Sequence, residues 1–259
     1  MLRGFYTAAS GMYAQQRKTE LLTNNMANIN TPGFKEDTSA IRAFPEMLLQ
    51  RIEAGNPTPR TIGPINTGVY MQETLPRFIQ GDLRQTDIGT DLALTDLEGI
   101  PVFFTVEENG QTKYTRNGRF TLDAEGLLTT AEGFPVLDVN GNQIRLNSDR
   151  FKVASNGMIE EDGVEVARLG IAAAENPEAL IKEGNGLFRT ENNALLPNAE
   201  GNTAFSISQG FIEASTVDPT RAMAEMLSAY RAFEANQKIV QAYDRSMEKA
   251  VNEIGRVNG

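Results

Sequence analysis

Near the start of the chain the apolar positions recur at helical spacing. Leu2, Phe5, Ala9, Met12, Gln16, Thr19, Leu22, Met26 and Ile29 step by 3, 4, 3, 4, 3, 3, 4, 3. That is a heptad-like seam with one place where two threes meet. Thr31-Pro32-Gly33, followed by Phe34, ends it, because proline cannot continue a helix and glycine supplies turn geometry. A shorter pattern, Ile41, Phe44, Leu48 and Ile52, predicts a second helix begun near Pro45, and "AGNPTPRTIGP" (54–64) reads as a linker. At the other end Asp218 fits an N-cap and Pro219 a first helical position. From there Met223, Met226, Tyr230, Phe233, Gln237, Val240, Tyr243, Met247, Ala250 and Ile254 form a matching seam, with Arg221/Glu225, Glu234/Lys238 and Lys249/Glu253 as i,i+4 charge pairs.

Between the two seams the periodicity changes to that of strands. "KYTRNGRFTLD" (113–123) alternates around Asn117-Gly118, a hairpin signal. Asn109-Gly110, Asn140-Gly141, Asn156-Gly157 and Asp162-Gly163 repeat the turn chemistry at short intervals, with no helix of length among them. The pattern therefore predicts an α+β protein with three segments: a helical segment and linker at 1–60, a mainly antiparallel β-domain at 61–210, and a second helical segment at 211–259. The two terminal helices are expected to pair as a coiled-coil-like stalk. Seams containing Thr19, Ala9 and Gln16 are thin, and an isolated pair of such helices is marginal. More copies of the same chain are the economical source of neighbours.

Charge sharpens this division. Residues 1–60 carry seven basic and five acidic side chains, residues 61–210 eleven and twenty-two, and residues 211–259 six and seven. An acidic middle argues against nucleic acid, whose phosphates require a basic surface. It fits ends that pack while the middle faces solvent. The chain has no cysteine, histidine or tryptophan, which removes thiolate chemistry, the usual general base and the commonest metal ligand. No enzyme, cofactor, metal site or small-molecule substrate is expected. No apolar run approaches the roughly 18 residues of a membrane span. The first residues also lack the apolar region of a cleaved signal peptide.

One feature resists the helical pattern. Asn24, Asn25, Asn28 and Asn30 lie in or just after the first seam, although asparagine amides compete for backbone groups and weaken helices. The simplest reading is a frayed end before Pro32. The surrounding stretch, "AASGMYAQQRKTELLTNNMANINTPGFK" (8–35), resembles the amino-terminal signature of bacterial flagellar basal-body rod and hook proteins. "GFIEASTVDPTRAMAEMLSAYRAFEANQKIVQAYDRSM" (210–247) is similar to their carboxy-terminal signature, and 91–137, with Tyr114-Thr115-Arg116-x-Gly118-x-Phe120, to their β-domain. Thr216 stands where that family usually has asparagine, and Leu97-Glu98-Gly99-Ile100-Pro101 replaces a glycine-rich turn.

The resemblance implies a structural subunit of the rod, the axial drive shaft, self-assembling through its terminal helices. It implies export through the flagellar type III apparatus without signal cleavage, and partners that are copies of itself and related rod and hook subunits. Length favours a rod subunit over the larger hook protein, with the distal rod as the expected position. On this reading Leu2, Phe5, Ala9, Met12, Leu22, Asn24, Asn25, Met26 and Asn28 would face neighbours, the amides satisfying helix ends of other subunits. So would Met223, Met226, Tyr230, Phe233, Asn236, Val240 and Met247, with Thr31, Pro32, Gly33 and Phe34 forming the turn after the first helix. The alternatives are an acidic β-domain that binds a ligand or cation on a dimerising helical stalk, and a hydrolase using only Asp and Glu. Glu107-Glu108 and Glu160-Glu161-Asp162 are read as solvated turn charge, since adjacent strand residues face opposite ways. "DVNGNQ" (138–143) has its glycine at the wrong place for a calcium loop.

Overall fold

The computed structural model describes residues 2–51, 60–199 and 205–254. The chain is α+β: two long helices, α1 (Leu2–Ala27) and α2 (Pro219–Ile254), and a series of antiparallel sheets. It divides into two compact units. One comprises Met1–Met26, Asp37–Leu75 and Pro219–Gly259; the other comprises Ala27–Glu36 and Pro76–Asp218. By sequence the helical unit holds 12 basic against 10 acidic side chains and the β-unit 12 against 24, nets of +2 and −12.

In the helical unit α1 and α2 run antiparallel. Lys18 Nζ lies 3.2 Å from Glu225 Oε2, and Gly11 and Gly4 receive the side chains of Asn236 and Tyr243. A Cβ on Gly11 would stand 2.9 Å from Asn236 Nδ2, and one on Gly4 2.0 Å from the Tyr243 hydroxyl. The stripe that turns inward on α1 is Gly4, Ala8, Gly11, Gln15, Lys18, Leu22 and Asn25, an unbroken alternation of fours and threes, every member buried or half-buried. On α2 it is Ala222, Met226, Ala229, Phe233, Asn236, Val240, Tyr243 and Met247, equally unbroken. Small residues on one helix thus accept large ones from the other, and helical glycine, costing about 1 kcal/mol relative to alanine, is retained for close approach.

Against α1 lies a two-part β-ribbon. Ile41–Ala43 pairs with Val69–Met71, and Met47–Arg51 with Arg60–Ile65, with an irregularity between Leu49 and Gln50. This corrects the expected helix at 41–52: the segment is strand, Phe44 and Leu48 are exposed, and Ile52 lies outside the described residues. Apolar positions four apart, such as Phe44 and Leu48, fit either period, and long-range pairing decides between them. Of the expected linker, 60–64 is also strand, and 54–59 lie outside the described residues. Ser10 Oγ accepts the Val69 N–H at 3.2 Å, and Thr7 Oγ1 donates to the Thr67 carbonyl at 3.0 Å. Gly68 permits that approach, since a Cβ there would meet Ser10 Oγ at 2.6 Å.

The β-unit is built on a five-stranded sheet ordered Ile171–Ala173, Val102–Glu108, Gln111–Thr115, Leu187–Thr190, Leu180–Lys182. Its second strand, Val102–Glu108, is covered on both faces. Val102, Phe104 and Val106 enter the larger core with Leu92, Leu128 and Ile159, while Phe103 joins Tyr114 and Phe188 on the other side. Asn109-Gly110 and Asp162-Gly163 make tight hairpin turns with positive φ at both residues, as their sequences predict. Asn117-Gly118 does not. Strand Gln111–Thr115 pairs with Val102–Glu108, whereas Phe120–Leu122 pairs with Leu128–Thr130. Gly118 instead admits the Leu92 carbonyl, which would lie 1.6 Å from a Cβ.

Candidate functional site

Two features stand out once the elements are in place: the exposed faces of the helical unit and a buried ionic junction in the β-unit. The four charged groups of the junction, Lys35, Asp96, Arg116 and Glu213, come from segments distant in sequence. Glu213, 1% exposed, accepts the Lys35 ammonium at 2.7 Å and the Gly81 N–H at 2.6 Å on Oε1, and Arg116 Nε at 2.5 Å on Oε2. Arg116 continues outward, donating to Asp96 Oδ1 at 2.7 Å, Gln80 Oε1 at 2.7 Å, the Leu94 carbonyl at 3.2 Å and the Val102 carbonyl. Lys35 also donates to the Ile79 carbonyl at 2.6 Å. Two cations and two carboxylates neutralise one another, so the burial of charge is compensated and its hydrogen-bonding capacity is used. Burial drives the Lys35 ammonium below its ordinary value, opposed by Glu213, whereas Arg116 is held above its own by Glu213 and Asp96 against desolvation.

The same place joins the chain leaving α1 to the chain entering α2. The Gly33 N–H donates to the Glu213 carbonyl at 2.8 Å and the Thr216 N–H to the Phe34 carbonyl at 3.1 Å. The Glu36 N–H donates to Thr216 Oγ1 at 2.8 Å, so threonine at this position bonds through both side chain and backbone. Gly33 is required: its φ is +68°, and a Cβ would stand 2.4 Å from the Arg116 carbonyl carbon. The Lys182 ammonium lies 3.7 Å from the Phe34 ring centre and donates to the Lys35 carbonyl at 3.2 Å. Lys35, Arg116 and Glu213 each belong to one of the three signature stretches, so motifs read separately converge on one cluster. Each is legible in the sequence only as one charged residue of a short motif, Lys35 after Gly33-Phe34, Arg116 after Tyr114-Thr115 and Glu213 before Ala214-Ser215, and nothing local joins them.

The expected assembly residues fall into several environments. On α1, Phe5, Ala9, Met12 and Met26 are half-buried, Leu22 is buried, Asn24 is exposed and the Leu2 side chain lies outside the description. On α2, Met226, Phe233, Asn236, Val240 and Met247 are half-buried, while Met223 and Tyr230 remain 56% and 55% exposed. Pro32, Gly33 and Phe34 are buried and Thr31 half-buried, its hydroxyl donating to Asn28 Oδ1 at 3.2 Å. Asn25 is 0% exposed and works within the chain: Nδ2 donates to the Asp37 carbonyl at 2.9 Å and Oδ1 accepts the Asp37 N–H at 3.1 Å. Its amide thus imitates a neighbouring strand, and helix propensity is given up for that clamp.

Other acidic side chains are engaged within the β-unit. Glu161 is not solvated turn charge: it is buried and holds Asn147 through the backbone N–H at 2.9 Å and Nδ2 at 3.0 Å. A hollow of about 220 Å³ in the β-unit, lined by Thr105, Tyr114, Asp138 and Leu195 among others, contains one carboxylate, and Asp138 is occupied by the Asn140 and Asn142 N–H groups. Among the described residues no three acidic side chains are grouped to hold a metal ion, and no helix is long and apolar enough to cross a membrane.

Comparison with known proteins agrees with the three stretches. Residues 5–35 match the family "Flagella basal body rod protein", residues 101–164 "Flagellar hook protein FlgE/F/G D1 domain", and residues 208–253 "Flagellar basal body rod FlgEFG protein C-terminal". The chain is 45% identical over 271 residues to the flagellar hook-basal body complex protein FlhO of Bacillus subtilis, covering 99% of this chain and 100% of that one. It is 30% identical over 261 residues to the basal-body rod protein FlgF of Caulobacter vibrioides, covering 100% of both. It is 32% identical over 271 residues to the rod protein FlgG of Bacillus subtilis, covering 97% and 99%.

Proposed function

Because the chain belongs to the flagellar basal-body rod protein family, we propose that it is a structural subunit of the rod, built into the axial shaft through its helical unit. The observation that carries this reading is the outer face of the helices: Tyr6, Met223, Leu227 and Tyr230 are each more than half exposed although α1 and α2 already pack on one another. Monomeric proteins rarely leave such apolar stripes uncovered, and a polymer covers them. The inward stripes support a coiled-coil-like stalk, and the seam residues on their flanks are the contacts to neighbouring subunits. The acidic β-unit carries a net charge of −12, which favours solubility.

Partners are then copies of the same chain and related rod and hook subunits, reached by export through the flagellar type III apparatus. Within the family the length suits a rod subunit better than the larger hook protein, and the position proposed is the distal rod. The ionic junction serves this role by holding the chain leaving α1 beside the chain entering α2. The test is direct: hook-basal bodies isolated from cells that express the chain should contain it in stoichiometric amounts. Its absence from intact particles sinks the proposal.

A further inference from the structure

On α2, Met223, Leu227, Tyr230 and Glu234 follow at steps of four, three and four, on the side of the helix away from Ala222, Ala229 and Asn236. The three apolar members are 56%, 61% and 55% exposed. Elsewhere in the same unit a cavity of about 380 Å³ opens between the first turns of α1, the later part of α2 and residues 65–67. Ala8, Ile65, Ile239 and Tyr243 give it an apolar lining, and Arg3 and Asn66 also border it. The Thr7–Thr67 hydrogen bond at 3.0 Å ties the α1 wall to the 65–67 wall. Its volume lies within the roughly 300–1,000 Å³ of cavities that hold small ligands, ample for a leucine or tyrosine side chain.

The stripe cannot fill this cavity in its own molecule, because residues 227–234 and 239–243 lie along one continuous helix. A second copy presents the missing half of each. Arg3 beside the cavity and Glu234 at the end of the stripe make no ion pair among the described residues, so the charges complement as well as the shapes. We infer that the Met223–Leu227–Tyr230 stripe of one copy seats in the Arg3–Tyr243 cavity of the next, with Glu234 meeting Arg3. The inference rests on the rod-subunit reading for the identity of the partner. The contact is heterologous: each addition leaves one stripe and one cavity free, so growth continues instead of closing at a dimer. Stripe on stripe would leave the cavity empty and bring equal charges together.

The cysteine-free chain makes the test clean. Leu227→Cys and Asn66→Cys both alter exposed positions. Oxidising a mixture of the two single variants should give a covalent dimer that neither gives alone, and the double variant should give a ladder of higher oligomers. A dimer from Leu227→Cys alone overturns the inference in favour of stripe-on-stripe pairing. Absence of any crosslink overturns it too, and parallel sedimentation separates the causes. Polymer without the crosslink leaves the rod-subunit reading standing; no polymer removes both. As a second arm, Arg3→Glu should raise the concentration needed for assembly about tenfold, and adding Glu234→Arg should restore it. Failure of restoration contradicts the pairing.

Discussion

Replacing Glu213 with glutamine tests the ionic junction at its centre. Glu213 takes the Lys35 ammonium on one oxygen and the Arg116 guanidinium on the other, all three being at most 2% exposed. Glutamine keeps the shape and one acceptor oxygen but removes the charge, so two buried cations face Asp96 alone. Breaking a buried pair by neutralising one partner costs about 3–5 kcal/mol. For a unit of this size about 2–4 °C is lost per kcal/mol, so the β-unit should melt roughly 6–20 °C lower. Thermal unfolding of the full chain followed by far-ultraviolet circular dichroism, with urea titration to separate the β transition, would measure it. A companion variant, Lys35→Met with Glu213→Gln, removes one charge of each sign and should recover part of the loss through a coupling term. A loss under about 1 kcal/mol for Glu213→Gln, or strict additivity in the pair, would refute the claim that these charges depend on one another.

Asn25→Ala should destabilise the helical unit, because losing both bonds to Asp37 costs about 1–3 kcal/mol per unsatisfied buried group against a helix-propensity gain of at most about 0.7 kcal/mol; a net gain in melting temperature would contradict it. Gly118→Ala should be severely destabilising, by about 3 kcal/mol or more, since its Cβ would meet the Leu92 carbonyl oxygen at 1.6 Å; unchanged urea unfolding would show that the backbone there yields. Glu225 is held below the ordinary carboxylate value of 4.5, first by Arg221 and also by Lys18. Its contribution is therefore present above that value and is lost as pH falls through the depressed one, so Glu225→Gln should flatten the acid limb of helix unfolding; an unchanged limb argues against it. The depressed Lys35 value gives a slope of the same sign at the other end of the scale: stability should rise with pH in the alkaline window just below 10.5, a slope that Lys35→Met abolishes in hydrogen-exchange measurements on the β-unit.

What the sequence revealed was mostly local. Pro219 opens α2, Pro32 and Gly33 follow the end of α1, and Asp162-Gly163 turns a hairpin, because each rests on backbone geometry within a few residues. The seams located both helices but favoured large side chains. On α2 the seam shares Met226, Phe233, Val240, Tyr243 and Met247 with the face that meets α1, but on α1 that face is carried by Gly4, Ala8 and Gly11, which have little hydrophobic signal to read. Asn25 looked like a defect because its partner, Asp37, lies beyond the turn. The ribbon at 41–71 and the Lys35–Asp96–Arg116–Glu213 junction were hidden for a related reason: pairing between distant segments creates them, and no period records it.

Sedimentation velocity of the full chain across a wide concentration range bears most directly on the central claim that this is a self-assembling rod subunit. Species that grow without a fixed limit above a threshold concentration are expected, with loss of that growth when Leu227 and Tyr230 are both changed to aspartate on the outer face of α2. A single small oligomer of constant size at every concentration would contradict it, and would favour a β-unit carried on a dimerising stalk.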